Sequence, residues 1–133
     1  LSNWANPGHE CRHNIAYWKS ANWWGLGPGA HSHIDRKRFW NIKHPTAYKQ
    51  RLFEGLSPMA DSEELTDEMR KSEYIMLASR LRTGIAKRAL TVAQYERMAD
   101  YIKADQIIDS PETLVLTATG RLIADRIVAD LLA

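Results

Sequence analysis

The sequence predicts an α+β protein in which short strands and loops precede a mostly helical, winged-helix-like C-terminal domain. Three observations predict this fold class. The chain has 133 residues, of which 44% are hydrophobic and 26% charged, a composition typical of a globular protein. The second half carries capped amphipathic patterns around a short hairpin. The first 44 residues contain all five tryptophans and all five histidines, so the two halves differ in amino-acid composition.

Two helices open the second half. Thr66 is followed by two acidic residues, a pattern typical of a helix N-terminus, and this helix is expected to end near Gly84. Its apolar face consists of Tyr74, Leu77, Ala78 and Leu81. Thr91 and Gln94 form a capping-box pattern, which predicts a second helix over 91–102. Its apolar stripe consists of Tyr95, Met98, Ala99 and Ile102.

A small hairpin and a last helix complete the second half. Ile107–Ile108 and Leu114–Leu116 are short apolar runs separated by a Ser-Pro-Glu turn, which predicts a hairpin. Thr117 can cap the last helix. The apolar positions of that helix recur every four residues, at Ile123, Ile127 and Leu131. The order helix, helix, hairpin, helix is that of a winged-helix-like module.

The first half predicts short elements joined by loops. Leu1–Ala5 has the character of a strand interior, because no turn or cap precedes it. The further expected elements are a helical turn over Asn14–Trp18, a glycine-rich loop over Gly25–Gly29, a strand or hairpin over Ile34–Ile42 and a helix over Thr46–Gly55. We therefore divide the chain into a first part at 1–45, a connecting helix and linker at 46–64, and the winged-helix-like domain at 65–133.

Charge and cysteine usage exclude several classes of protein. The net charge is +2, with eight basic and three acidic residues in the first 60 positions and ten and thirteen in the rest. The last helix offsets Arg121 and Arg126 with nearby aspartates, so it lacks a basic stripe and we expect no nucleic-acid partner. The single cysteine, Cys11, excludes an internal disulfide framework. Without a long apolar run, we expect a cytoplasmic protein that reaches membranes only through protein partners.

The histidines of the first half form a candidate metal cluster. His9, Cys11 and His13 alternate along the chain, as do His31 and His33 further on. Alternate residues of an extended segment point the same way, so each group can face one metal ion. The spacing is not that of a standard zinc module. Polar loop residues are the favoured interpretation, and no native metal site is expected.

The segment His13–Trp18 is a second candidate site. In a helical turn, His13 lies beside Tyr17 and Asn14 beside Trp18, because both pairs are four residues apart. An imidazole next to large aromatic rings suits a flat, iron-bearing macrocycle. The alternative is a packed aromatic corner with an exposed histidine, and composition alone favours that alternative.

The glycine-rich segment Gly25–Ser32 is a third candidate. Its glycines let backbone approach a ligand closely and expose N–H groups, although Pro28 removes one donor. The pattern matches neither the dinucleotide-binding fingerprint nor the P-loop. By itself it is weak evidence for a ligand.

Together these segments resemble a known family. The runs Ser2–Trp18, Gly25–Ser32 and Trp40–Pro45 are similar to the oxygen-independent coproporphyrinogen III oxidase family, and within it to the branch of radical SAM haem chaperones. The likeness covers essentially the whole chain, including Leu116–Arg121 before the last helix. Its most specific element is the string HNxxYW, which is complete at His13–Trp18.

The resemblance implies a fold and cofactors. Residues 1–45 correspond to the terminal strands and loops of a partial radical SAM (β/α) barrel, and the helical C-terminal domain follows. A full-length parent would hold a [4Fe–4S] cluster and S-adenosylmethionine. The family's cluster motif, CxxxCxxC, lies far upstream of the matched region. This chain, with Cys11 alone, is therefore expected to be a C-terminal fragment without radical chemistry.

The same resemblance implies roles for individual residues. His13 is the candidate ligand of haem iron, and Tyr17 and Trp18 shape the haem pocket. Asn14 orients His13 or contacts haem. The loop facing S-adenosylmethionine corresponds to Gly27, Gly29, Ala30 and His31.

Three functions stay open at this point. The first is that the parent is a haem chaperone that hands haem to respiratory proteins. The second is an oxidase that decarboxylates coproporphyrinogen III. The third is that the second half is a stand-alone winged-helix module that binds protein or DNA. The complete HNxxYW string favours the chaperone. Truncated barrel edges at Leu1–Ala5 and Asn22–Leu26 also predict self-association through the first 45 residues.

Overall fold

A computed structural model describes residues 5–133, and the interpretation of Leu1–Trp4 as part of a strand lies outside the described residues. The structure mixes helices with two open three-stranded sheets, which confirms the α+β prediction. The chain forms two compact units. One unit is Ala21–Met69, and the other combines the residues up to Ser20 with Arg70–Ala133. The predicted division at 45 and 64 stays a prediction.

The elements of the first 64 residues are α1 (Arg12–Trp18), β1 (His31–Ile34), β2 (Lys37–Asn41), α2 (Pro45–Phe53) and β3 (Met59–Glu64). The expected helices at 14–18 and 46–55 are present as α1 and α2. The strand or hairpin expected over 34–42 is a hairpin whose first strand, β1, begins earlier, at His31. The hairpin is antiparallel, with His31 opposite Trp40 and Ile34 opposite Lys37. Asp35 adopts a positive φ of 53° in its turn, a conformation that aspartate tolerates better than most residues.

The strand β3 is an element that the sequence analysis did not predict within the connecting segment 46–64. It pairs antiparallel with β2, so that the sheet order is β1-β2-β3. Its sequence, Met59–Glu64, has low intrinsic strand propensity. Cross-strand pairing specifies it instead, including the ion pair between Arg38 and Glu63 at 2.9 Å.

The remaining elements are α3 (Asp67–Ala78), β4 (Ile85–Ala86), a 3₁₀ turn (Lys87–Ala89), α4 (Val92–Glu96), α5 (Ala99–Lys103), β5 (Ile107–Asp109), β6 (Thr113–Leu116), α6 (Ala118–Leu122) and α7 (Ala124–Leu132). The predicted hairpin is confirmed as β5–β6, in a sheet ordered β4-β6-β5. Three predicted helix caps are confirmed by hydrogen bonds from backbone N–H groups to the hydroxyls of Thr66, Thr91 and Thr117.

Helix ends differ from the expectation in three places. α3 ends at Ala78 rather than near Gly84. Gly84 directly precedes β4 and approaches β6 closely. A Cβ atom at this position would lie 2.3 Å from the carbonyl oxygen of Leu114 on β6. The helix expected over 91–102 is interrupted at Arg97–Met98, and Ile123 separates the last helix into α6 and α7.

The core of the second unit is built from the apolar faces of its helices and the inner face of its sheet. Its buried members are Ile75, Ala78, Ile85, Met98, Ile107, Leu114, Leu116, Ala124, Ile127 and Leu131. The half-buried rings of Tyr74, Tyr95 and Tyr101 pack against it. Among the helices within residues 5–133, none has both the length and the apolar character needed to cross a membrane.

Candidate functional site

α1 places the histidine and tyrosine of the HNxxYW string against each other. The ring centroids of His13 and Tyr17 are 4.8 Å apart with planes at 85°, an edge-to-face contact. Of the two contacts expected between residues four apart, the one between His13 and Tyr17 is therefore present, and the one between Asn14 and Trp18 stays a prediction. Both side chains are exposed, so the imidazole is accessible to a ligand from solvent.

The other two members of the string lie deeper. Asn14 and Trp18 are half-buried, and α1 has no fully buried residue. Cys11 precedes the helix as an exposed free thiol. The expectation that Asn14 orients His13 stays a prediction.

A metal cluster is not assembled by the described residues. Across residues 5–133, no three His, Cys, Asp or Glu side chains converge closely enough to hold a metal ion. His31 and His33 differ in environment although they alternate on one strand. His31 is exposed and stacks on Trp40 at 5.7 Å, whereas His33 is 5% exposed.

The glycine-rich loop is fixed by buried polar side chains of the neighbouring strands. The amide of Asn41 donates to the carbonyl oxygens of Gly27, at 3.0 Å, and Gly25, at 3.4 Å. The hydroxyl of Ser32 accepts from the backbone N–H of Gly25 at 2.9 Å. Asn41 and Ser32 are both buried, so the hydrogen bonds that hold the loop come from the interior of this unit.

Two glycines are required by the geometry of this loop. A Cβ atom at Gly25 would lie 2.0 Å from the carbonyl oxygen of His31, so only glycine allows this approach. Gly27 has a φ of 106°, which side chains rarely adopt. The N–H groups of Gly29 and Ala30 already donate to Ile42 and Gly27, and they are not offered to a ligand.

The sequence analysis included Ser32, His33 and Asn41 in its candidate segments, but it did not predict that these three residues are buried and organise this region. His33 pairs with Trp23 through two backbone hydrogen bonds, and their rings meet at 4.8 Å. Both ring nitrogens of His33 are buried without a hydrogen-bond partner among the described residues. No local pattern distinguishes a buried serine, histidine or asparagine from an exposed one, because the partners come from distant positions.

A charged cluster lies in the second unit, around Asp109. Lys87 Nζ lies 2.5 Å from one carboxylate oxygen, and the Tyr95 hydroxyl donates to the other at 2.6 Å. The hydrogen bonds from Lys87 and then Tyr95 lower the pKa of Asp109. The same carboxylate, as hydrogen-bond acceptor, raises the pKa values of Lys87 and Tyr95. The cluster links the 3₁₀ turn, α4 and β5.

Comparison with known proteins connects this geometry to a family. The chain is 44% identical over 133 residues to the heme chaperone HemW of Mycobacterium tuberculosis (strain H37Rv). The aligned region covers 99% of this chain and 34% of that protein. The chain is a homologue of HemW. HemW of Bacillus subtilis (strain 168) is 28% identical over 136 residues, covering 96% of this chain and 36% of its own length. No protein-family model matches the chain.

The HemW matches confirm the family resemblance seen in the sequence. The chain spans about a third of the length of the curated relatives that it matches. A solved structure, that of the radical SAM coproporphyrinogen III oxidase HemN from Escherichia coli, is similar with a TM-score of 0.63. The superposed region covers 84% of this chain and 28% of the HemN chain. Because the sequence identity is only 18%, this likeness concerns the fold alone.

Proposed function

We propose that this HemW homologue carries the haem-binding helix of a haem chaperone, which binds haem as cargo and delivers it to respiratory proteins. The observation that carries the proposal is the 44% identity to a heme chaperone over 99% of this chain. α1 supports it, because its HNxxYW string presents an accessible imidazole next to an aromatic ring.

The chemistry of the proposed site is axial ligation with aromatic packing. A neutral imidazole offers a nitrogen lone pair to iron, and the exposed His13 is free to do so on the helix surface. Tyr17 holds the imidazole by its edge and limits its rotation. Trp18 supplies apolar area for the macrocycle, and Asn14 orients the imidazole or contacts a haem substituent.

The test is a haemin titration read by the Soret band. Wild type is expected to give a saturable shift, and His13→Ala is expected to lose it. His44→Ala is the matched control, because His44 is, like His13, an exposed histidine near a helix N-terminus, and its side chain makes no capping hydrogen bond. Equal titrations of His13→Ala and wild type would contradict the proposal. So would a full-length protein that decarboxylates coproporphyrinogen III and does not bind haem.

We also propose that the full-length parent contains a [4Fe–4S] cluster and S-adenosylmethionine. The residues of this chain do not fit the cluster, because cluster ligation needs several thiolates and the chain has one cysteine. Gly27, Gly29, Ala30 and His31 are proposed to face S-adenosylmethionine. Since the N–H groups of Gly29 and Ala30 are committed internally, the exposed imidazole of His31 is the group available for this contact.

The finer architecture belongs to the same proposal. We assign residues 1–45 to the end of a radical SAM barrel, 46–64 to a connecting segment and 65–133 to a winged-helix domain. The sheet order β4-β6-β5, with α4 and α5 between its first two strands in sequence, supports the winged-helix assignment. We place the parent in the cytoplasm, with membrane contact only through its partners. For the alternative function, an oxidase that decarboxylates coproporphyrinogen III, no specific observation speaks.

A further inference from the structure

A cleft of about 410 Å³ lies within the Ala21–Met69 unit, a volume within the range of small-molecule pockets. The glycine-rich loop, β2, α2 and the start of β3 form its walls. The lining residues are Trp24, Gly25, Leu26, Phe39, Asn41, Tyr48, Leu52, Ser57, Pro58 and Met59. None of them is acidic or basic. This cleft is separate in sequence from the HNxxYW string and plays no part in the function proposed above.

The walls of the cleft are aromatic and its mouth is apolar. The rings of Trp24 and Phe39 meet at 5.5 Å with planes at 78°. Tyr48 and Leu52 are four residues apart on α2 and line the opposite wall. At the mouth, Trp24 is 67% exposed and Leu26 is 85% exposed. Such a concave apolar surface with ring faces on its walls favours a flat aromatic ligand.

The cleft has a fixed shape. On one side, Asn41 holds the carbonyl groups of the glycine loop, as described above. On the other side, the Arg51 guanidinium donates to the carbonyl oxygens of Ser57, at 3.3 Å, and Met59, at 3.4 Å. Both of these residues line the cleft, so Arg51 places a cation beside it.

The segment that supplies most of the cleft lining is basic in sequence. It spans 41–59, contributes six of the ten lining residues and carries Lys43, Lys49 and Arg51, of which Arg51 contacts lining residues. Its single acidic residue, Glu54, accepts a hydrogen bond from Gln50. An apolar cleft with a cationic border matches a ligand that is flat and apolar over most of its surface and carries carboxylates at one edge.

We propose that this cleft is a second tetrapyrrole subsite, which takes the apolar edge of a porphyrin and leaves its carboxylates beside Arg51. The choice of ligand class rests on the haem-chaperone function proposed above. The subsite recognises the macrocycle rather than the iron, since no histidine or cysteine lines it. A transfer protein with two subsites can hold its cargo by iron ligation at one and by ring packing at the other.

The experiment uses iron-free protoporphyrin IX, which axial ligation by His13 cannot retain. Its binding is followed by porphyrin fluorescence. Wild type and His13→Ala are expected to bind with equal Kd, and Leu26→Asp and Trp24→Ala are expected to raise Kd at least tenfold. Leu122→Asp is the matched control, because Leu122 is also 85% exposed but lies in the other unit. It should leave Kd unchanged.

Several outcomes would overturn the subsite. Wild type fails to bind the iron-free porphyrin, or the cleft variants bind it as wild type does. The third outcome is that light scattering shows wild type to be a dimer, that Leu26→Asp dissociates this dimer, and that porphyrin does not. That result would assign the cleft to a second copy of the chain. Each of these outcomes leaves the haemin response of His13 unaffected. Conversely, loss of the His13 response with intact porphyrin binding would contradict only the proposed function.

Discussion

The side-chain amide of Asn41 donates a hydrogen bond to the carbonyl oxygen of Gly27 at 3.0 Å, from a buried position on β2. The same nitrogen reaches the carbonyl oxygen of Gly25. Backbone bonds from Gly29 to Ile42 and from Asn41 to Ala30 add to this connection. The conformation of the glycine loop is therefore held by β2, the second strand after it in the chain.

Removing this amide is expected to destabilise the Ala21–Met69 unit. Asn41→Ala removes the amide donor from the carbonyl oxygens of Gly25 and Gly27, of which Gly27 keeps the N–H of Ala30. The expected cost is about 1–3 kcal/mol. Asn22→Ala is the control, because Asn22 makes its two hydrogen bonds to Asp35 on the surface, where water replaces them. Urea unfolding of the two variants measures the difference. Equal losses would show that the buried amide contributes no more than an exposed one.

Elements with local signals were predictable from the sequence. The threonine caps at 66, 91 and 117 and the apolar periodicity around Ile127 and Leu131 identified most of the second half. The strand β3 was missed because its residues favour strand only through pairing with β2. The interruption at Arg97–Met98 was missed because it carries no local signal: neither residue is glycine or proline, and both keep right-handed helical dihedral angles.

The candidate site was predictable only where its chemistry is local. The contact between His13 and Tyr17 follows from helical spacing, and the structure contains it. The cleft between Trp24 and Tyr48 has no counterpart in any local pattern, since its walls come from four separate segments. The same holds for His33, whose burial depends on its pairing with Trp23.

The capping box of α4 is expected to contribute measurably to stability. Thr91 accepts from the N–H of Gln94 at 3.2 Å, and the Gln94 side chain accepts from the N–H of Thr91 at 3.0 Å. Thr91→Ala removes the hydroxyl and should cost about 1 kcal/mol. Thr91→Ser retains it and should stay close to wild type in the same thermal unfolding assay. A Thr91→Ser variant as unstable as Thr91→Ala would exclude the hydroxyl as the cause.

Two neighbouring leucines on α7 test where the core lies. Leu131 is fully buried, whereas Leu132 is 38% exposed. Leu131→Ala removes buried apolar volume and should lower the free energy of unfolding by about 2–5 kcal/mol. Leu132→Ala should cost much less, because part of its side chain already contacts water. Chemical denaturation of both variants decides the matter, and a reversed order would place the core on the other face of α7.

The cluster around Asp109 predicts how stability depends on pH. Its hydrogen bonds from Lys87 and Tyr95 hold the pKa of Asp109 below the unfolded value of about 3.9. The folded state therefore binds this proton less readily, and the contribution to stability is present above that pH. It is lost as the pH falls through the lowered pKa. The raised pKa values of Lys87 and Tyr95 have the opposite sense, so their contribution is lost as the pH rises above about 10.

Thermal unfolding of wild type and Asp109→Asn across pH 2 to 11 measures this dependence. Wild type should lose its advantage over Asp109→Asn as the pH falls from about 5 toward 2, because only wild type then protonates the carboxylate. The difference should also shrink at the alkaline end, where Lys87 and Tyr95 lose their protons. Asp100→Asn is the control, since Asp100 is almost fully exposed and lies 3.7 Å from Lys103. If the difference in Tm between wild type and Asp109→Asn stayed constant across the acid range, the two hydrogen bonds to Asp109 would not stabilise its ionised form.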